Sequence, residues 1–119
     1  DWCSPCVKMK KYTWSNSEVK KTISDREGEL HLLDIDTPKH KEFFEYYNIN
    51  LYPTVIIVKV DDLENPIFRM SGYISPETMN DILQGKETLK KFPSKRLKFK
   101  KKSLQELHHT LRLLVIVFL

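Results

Sequence analysis

The last eight residues, Arg112-Leu-Leu-Val-Ile-Val-Phe-Leu119, constrain the fold more than any other stretch. After the arginine every residue is apolar, with no polar alternation. A strand of this kind requires burial on both faces, which a sheet gives only to an interior strand with helices above and below it. The run is also far shorter than the roughly 20 apolar residues that a membrane-spanning helix needs. Residues 113–119 are therefore expected to form a strand buried on both faces.

The rest of the chain supplies companions for such a strand. Residues 30–36 (LHLLDID) are a short apolar run bounded by turn residues and read as a buried strand. Residues 54–60 are dense in β-branched side chains and read as a second strand. Residues 67–73 follow after the turn DDLENP as a third, so the two should form a hairpin. Helices fill the gaps. VKMKKYT, beginning at Val7, is helix-compatible, and Tyr12 and Trp14 read as core. Ser15 is the expected N-cap of the next helix, with Glu18 completing a capping box. Thr37 caps a further helix that has Pro38 at its first position and Phe43, Phe44 and Tyr47 on its apolar face. Ser75 and Pro76 open another helix, which runs to about Leu83. The order to that point is helix, strand, helix, strand, strand, helix.

Composition then shifts. Residues 84–95 read as a linker. Residues 96–101 alternate Leu97 and Phe99 with Lys98 and Lys100, as in an edge strand guarded by lysines. Ser103 and Glu106 form a second capping box ahead of Leu107 and Leu111, which lie at helical spacing with Leu104. The whole chain of 119 residues suffices for one domain with one core. At 40% hydrophobic and 30% charged it has the composition of an ordinary soluble globular protein. It begins without Met and shows no signal-peptide pattern, so it is expected to be a processed, excised or rearranged piece whose targeting signal is lost.

Four stretches together, DWCSPCVKMKKYTWSNSEV, LHLLDID, YNINLYPTVIIV and RMSGY, resemble the thioredoxin-like superfamily. They are most similar to its DsbD branch, the C-terminal domain of the bacterial transmembrane thiol:disulfide interchange reductases. The resemblance covers residues 1–83. Its most specific mark is Cys3-x-x-Cys6 followed about 45 residues later by Pro53-Thr54 at the start of a strand. The family's fold requires a strand, a helix and a second strand ahead of the motif, and here residues 96–119 supply that set after it. The expectation is a single α/β domain of thioredoxin-like fold over 1–119, circularly permuted, with residues 84–95 joining the old ends. The resemblance implies a mixed five-stranded central sheet flanked by helices. Residues 113–119 should lie between 30–36 and 54–60, parallel to the first and antiparallel to the second, with 67–72 and 96–101 at the edges. A fragment of two tandem domains predicts the same tail, which could then complete a neighbouring chain by swapping, giving a dimer in place of a monomer. A tail without fixed structure is the plainer alternative.

The chemistry rests on Cys3 and Cys6. Two cysteines two residues apart can close a small disulfide at the mouth of a helix, where backbone N–H groups and the helix dipole favour a thiolate. Cys3, on the exposed side, is the expected nucleophile that forms the mixed disulfide. Cys6, one turn in and more buried, resolves it. Ser4 and Pro5 make the motif turn, and Pro5 starts the helix where its missing N–H does no harm. A purely structural disulfide is disfavoured because so small a loop constrains little. A zinc site lacks a second cysteine pair, and His31, His40, His108 and His109 show no ligand spacing with the first. Inert thiols buried by the rearrangement remain the third alternative. No metal and no cofactor beyond the Cys3–Cys6 disulfide is expected.

The resemblance further implies that Pro53 is cis and presents the backbone of Tyr52 to an extended substrate peptide. Trp2 would shield Cys3 and offer a flat contact surface. Gly72 either lets a loop approach the disulfide or is a plain strand-end glycine. A cation at the α-amino group of Asp1 would favour the Cys3 thiolate. The sequence departs from the family at Ile116 and Leu32, where many thioredoxins carry a buried Asp and a buried Lys, so the resolving step must use water or another carboxylate. The implied function is thiol–disulfide exchange with protein disulfides, as a reductase or electron relay recharged by an upstream redox partner. A periplasmic or otherwise extracytoplasmic setting is implied, while the residues themselves leave a cytoplasmic one open. The competing function is a redox-inactive binding or assembly module. Lys86, Lys90, Lys91, Lys95, Arg96, Lys98 and Lys100–102 form a basic stretch, yet aromatic interleaving is thin and no nucleic-acid motif occurs, so nucleic acid is not an expected partner.

Overall fold

A computed structural model describes residues 3–85 and 112–119. Pro5 starts helix α1 (Ser4–Tyr12), with Cys3 as its extended N-cap. Asn16, not Ser15, caps α2 (Ser17–Asp25): its side-chain oxygen accepts from the N–H groups of Glu18 and Val19, both at 3.0 Å. Asn is as good a cap as Ser and satisfies two otherwise orphaned donors here. The Ser15 hydroxyl turns back instead and donates to the Lys11 carbonyl. Trp14 is buried as expected, whereas Tyr12, the last residue of α1, is 50% exposed.

Strand β1 (Glu29–Leu33) ends earlier than the apolar run suggests. A 3-10 turn (Pro38–His40) then leads into α3 (Lys41–Tyr46); Thr37 precedes it in extended conformation but makes no side-chain capping bond. Phe44 and Tyr47 are buried, but Phe43 is 47% exposed. A helix this short presents one narrow stripe to the sheet, and positions 44 and 47 fill it. Strands β2 (Thr54–Lys59) and β3 (Phe68–Ser71) form the expected antiparallel hairpin. Helix α4 (Pro76–Leu83) begins where Ser75 accepts from the Thr78 N–H. Strand β4 (Leu113–Phe118) completes the described elements.

The four strands lie in the order β1-β4-β2-β3. β4 runs parallel to β1 and antiparallel to β2, the place and directions that the resemblance implies. Residues 86–111 lie outside the described residues. They hold the expected edge strand 96–101, the second capping-box helix and nearly all of the linker, so a fifth strand is not among those described.

Alternation along the two central strands divides the core. Val55 and Ile57 of β2, with Leu113, Val115 and Val117 of β4, face the side covered by α1, α2 and α4. Ile56 and Val58, with Ile116 and Phe118, face the side covered by α3. Each such side chain contributes roughly 1.5–3 kcal/mol on leaving water, so these two strands anchor the sheet. β1 is less enclosed than its sequence suggests: Leu33 is buried, Leu30 and Leu32 are half-buried, and Glu29 and His31 face solvent. On the α3 side, the Tyr47 hydroxyl donates to the Leu63 carbonyl at 2.6 Å. Burial, with a smaller effect of neighbouring Tyr46, holds that hydroxyl above its ordinary titration range and keeps the donor in place.

Candidate functional site at the motif end of the sheet

The local sequence around the two cysteines builds a sulfur pair onto a helix start. Cys3 and Cys6 are joined by a disulfide with their Cα atoms 5.3 Å apart. The Cys6 N–H points at Cys3 Sγ from 3.3 Å, so the first turn of α1 delivers a backbone donor to the outer sulfur. The first turn carries no acidic residue, so nothing there opposes negative charge on that sulfur. The expected contrast in exposure is slight: Cys3 is 9% and Cys6 6% exposed. Cys3 Sγ lies against the Cys6 N–H at the helix start, and both residues are buried.

Strand directions determine what else reaches this end of the sheet. β1 and β4 are parallel, so their carboxyl ends coincide. Thr54 pairs with Phe118, and Ser71 pairs with Thr54, which brings the start of β2 and the end of β3 to the same end. Pro53 is buried there, and the Tyr52–Pro53 peptide bond is cis. Gly72 has φ of 101°, a conformation that L side chains rarely adopt, and its N–H donates to the Pro53 carbonyl at 2.7 Å. The Thr54 hydroxyl donates to the Leu51 carbonyl at 2.6 Å and lies 2.8 Å from the Ser71 hydroxyl. The Tyr52 ring is half-buried and leans toward Phe44, with centroids 6.0 Å apart. Pro53, Thr54, Ser71 and Gly72 are thus tied into one bonded corner.

The other half of this end is open. A cleft of about 270 Å³ is lined, among the described residues, by Cys3, Cys6, Val7, Lys10, Asp34, Asp36 and Leu119. Asp34 directly follows β1, and Leu119 directly follows β4. Leu119 donates its N–H to the Leu33 carbonyl at 2.8 Å, and its carbonyl accepts from the Ile35 N–H at 3.2 Å, which clamps Asp34 between two backbone bonds. The Asp34 carboxylate accepts from the Asp36 N–H at 2.8 Å, and the Asp34 N–H donates to His40 Nδ1 at 3.0 Å. Lys10 sits one helical turn after Cys6 and shares its face of α1.

Of the residues singled out from sequence, Cys3, Cys6, Ser4 and Pro5 form the motif turn, and Pro53 and Gly72 are hydrogen-bonded to each other. Trp2 and Asp1 lie outside the described residues. Lys10, Asp34 and Asp36 were not singled out. Two signals pointed to them: the i, i+4 spacing from Cys6 to Lys10, and the position of both aspartates just past the carboxyl end of a parallel strand, where α/β sheets place their ligands. No helix among the described residues is long and apolar enough to cross a membrane.

A family model, the thioredoxin-like domain, matches residues 1–86. The thiol:disulfide interchange protein DsbD of Photorhabdus laumondii is 26% identical over 84 residues, which is 71% of this chain and 15% of that protein. DsbD of Escherichia coli K12 is 24% identical over 87 residues, or 73% of this chain and 15% of its own length. The same figures hold for DsbD of Shigella boydii. The chain therefore spans about 15% of the length of these curated relatives. No solved structure gives a significant match. The family model covers most of the chain, and the sulfur pair, the helix start and the mixed sheet agree with it: the chain belongs to the thioredoxin-like domain family.

Proposed function

We propose that the Cys3–Cys6 pair exchanges electrons with protein disulfides, acting as a reductase or as a relay between two redox proteins. The observation that carries this reading is the disulfide seated on the N-terminus of α1, with a backbone N–H directed at Cys3 Sγ. In the reduced state Cys3 thiolate attacks a substrate disulfide, bonding one substrate sulfur and releasing the other as a thiolate. Cys6 then attacks Cys3 Sγ, forms the intramolecular disulfide and expels the second substrate thiolate. Two electrons pass to the substrate, and an upstream dithiol protein restores the pair. Tyr52, Pro53 and Gly72 are the proposed substrate-binding corner, on which an extended peptide would lie strand-like, and Trp2 is proposed to flank it. The setting proposed is periplasmic or otherwise extracytoplasmic, in keeping with the resemblance to the interchange proteins.

The permuted order is part of the same proposal. Its support is that β4 occupies the central position of the sheet and that Leu119, just beyond it, lines the cleft at Cys3 and Cys6. A monomer completes the site with its own tail; a swapped dimer completes it with its partner's. Native mass measurement at low concentration separates the two. The function itself is tested by insulin reduction with dithiothreitol as electron source, alongside trapping with Cys6→Ala. The expected results are catalysed insulin precipitation by the wild type and mixed disulfides on Cys3 of the variant. Neither catalysis nor trapping would leave a redox-inactive binding module as the better account.

A further inference from the structure

Resolution of a mixed disulfide requires Cys6 to lose a proton, and the strand behind it offers no acceptor: Ile116, Val117 and Phe118 of β4 are buried and apolar. Among the described residues, the cleft that both sulfurs line holds two carboxylates, Asp34 and Asp36, and one ammonium, Lys10. Asp34 is the better fixed of the two carboxylates. Leu119 brackets its backbone from both sides, while its side chain is held by the Asp36 N–H. Asp36, among the described residues, bonds through its N–H to Asp34. At about 270 Å³ the cleft has room for the water that could link a thiol to a carboxylate beyond direct reach.

We infer that Asp34 is the proton acceptor for Cys6 in the resolving step, working through water in this cleft, with Lys10 offsetting the negative charge gathered there. The inference rests on the exchange reaction proposed above and names the group that handles its proton. As Cys6 Sγ bonds to Cys3 Sγ, the bond from Cys3 to the substrate sulfur breaks. The electron pair leaves with the substrate sulfur, and the proton of Cys6 passes to Asp34 and then to solvent. Among the described residues, the charged or titratable groups facing this path are Lys10 from α1, Asp34 and Asp36 from the segment after β1, and His40, whose Nδ1 contacts the Asp34 backbone. Lys10 and the carboxylates have opposite effects on a Cys6 thiolate, the first favouring and the second opposing it.

The test is a two-step reaction of the reduced protein with 5,5′-dithiobis(2-nitrobenzoate), followed by stopped flow from pH 6 to pH 9.5. Attack by Cys3 releases one equivalent of thionitrobenzoate, and resolution by Cys6 releases the second. In Asp34→Asn the second release should slow by about tenfold or more near pH 6.5. It should match the wild type within about twofold at pH 9.5, above the roughly 8.5 of an ordinary thiol, where Cys6 no longer needs a base. Asp34→Glu should restore part of the deficit, and the first release should be unchanged. A wild-type pH profile in Asp34→Asn overturns the inference. So does a deficit that persists undiminished at pH 9.5, which marks a structural role. A wild type that never releases a second equivalent would instead overturn the exchange reaction on which the inference stands.

Discussion

The two halves of the sheet end that carries the disulfide are built in opposite ways. On the β2–β3 side, Pro53 and Thr54 are buried, and the Pro53 carbonyl, the Thr54 hydroxyl, Ser71 and Gly72 are all engaged in hydrogen bonds to one another or to Leu51. On the β1–β4 side, Asp34, Asp36 and Lys10 are exposed around a cleft that reaches both sulfurs. The first arrangement fixes backbone geometry, which is what positioning an extended peptide requires. The second leaves charged groups free to exchange protons with water. Under the proposed reaction, substrate placement and proton handling would fall on two halves of one surface, and a change in either half should register in a different measurement.

The largest effect expected is chemical and lies between the halves. Cys6→Ala should reduce catalysed insulin reduction to the background rate while leaving Cys3 able to form mixed disulfides. Next comes the bonded corner. Gly72→Ala places a side chain at φ 101° and disturbs the bond to Pro53, for an expected loss of about 1–3 kcal/mol in urea unfolding. If that substitution leaves the denaturation midpoint unchanged, the corner is not rigid and the contrast between the halves dissolves.

How much of this was legible in the sequence follows the same division. The apolar run of β4 and the β-branched run of β2 announced strands, the first of them covered on both faces, and the resemblance supplied their central places. The motif and Pro53 were equally plain. β1 was overread: Leu30 and Leu32 pack against one face of the core and Leu33 is buried in the other, but the leucines on the first face are only half-buried, and Glu29 and His31 face solvent. Phe43 and Tyr12 were overread because aromatic type alone does not signal burial: Phe43 falls beside the stripe that Phe44 and Tyr47 fill, and Tyr12 ends its helix. The open half was missed because its two signals, the i, i+4 spacing of Lys10 from Cys6 and the place of the aspartates after a strand, gain meaning only once the strand pairing is known. Lys10 and Asp34 are far apart in sequence, and only the parallel pairing of β1 with β4 brings them to the same cleft.

A smaller effect tests the corner more finely. Thr54→Val keeps the shape of a buried side chain but removes the hydroxyl that bonds Leu51 and Ser71. The Leu51 carbonyl loses its donor, so a cost of roughly 1–3 kcal/mol is expected in the same unfolding experiment. Ser71→Ala removes only the second of those bonds and should cost less than Thr54→Val. The reverse order would mean that Ser71, and not Thr54, ties the hairpin to the Pro53 loop.

The smallest expected effect is on the open half, and its smallness is the point. Asp34→Asn removes a charge but retains a side-chain oxygen that can accept from the Asp36 N–H, and the backbone bonds from Leu119 to Leu33 and Ile35 do not involve the side chain at all. Exposed substitutions that break no cap, packing or network usually stay within about 0.5 kcal/mol. Unfolding of Asp34→Asn at pH 7 should therefore superimpose on that of the wild type, even as its thiol kinetics change at low pH. A loss above about 1 kcal/mol would place Asp34 in the same structural class as Thr54 and Gly72. The two halves would then differ in composition but not in role, and the slow resolution of the variant would have to be attributed to a loosened sheet end.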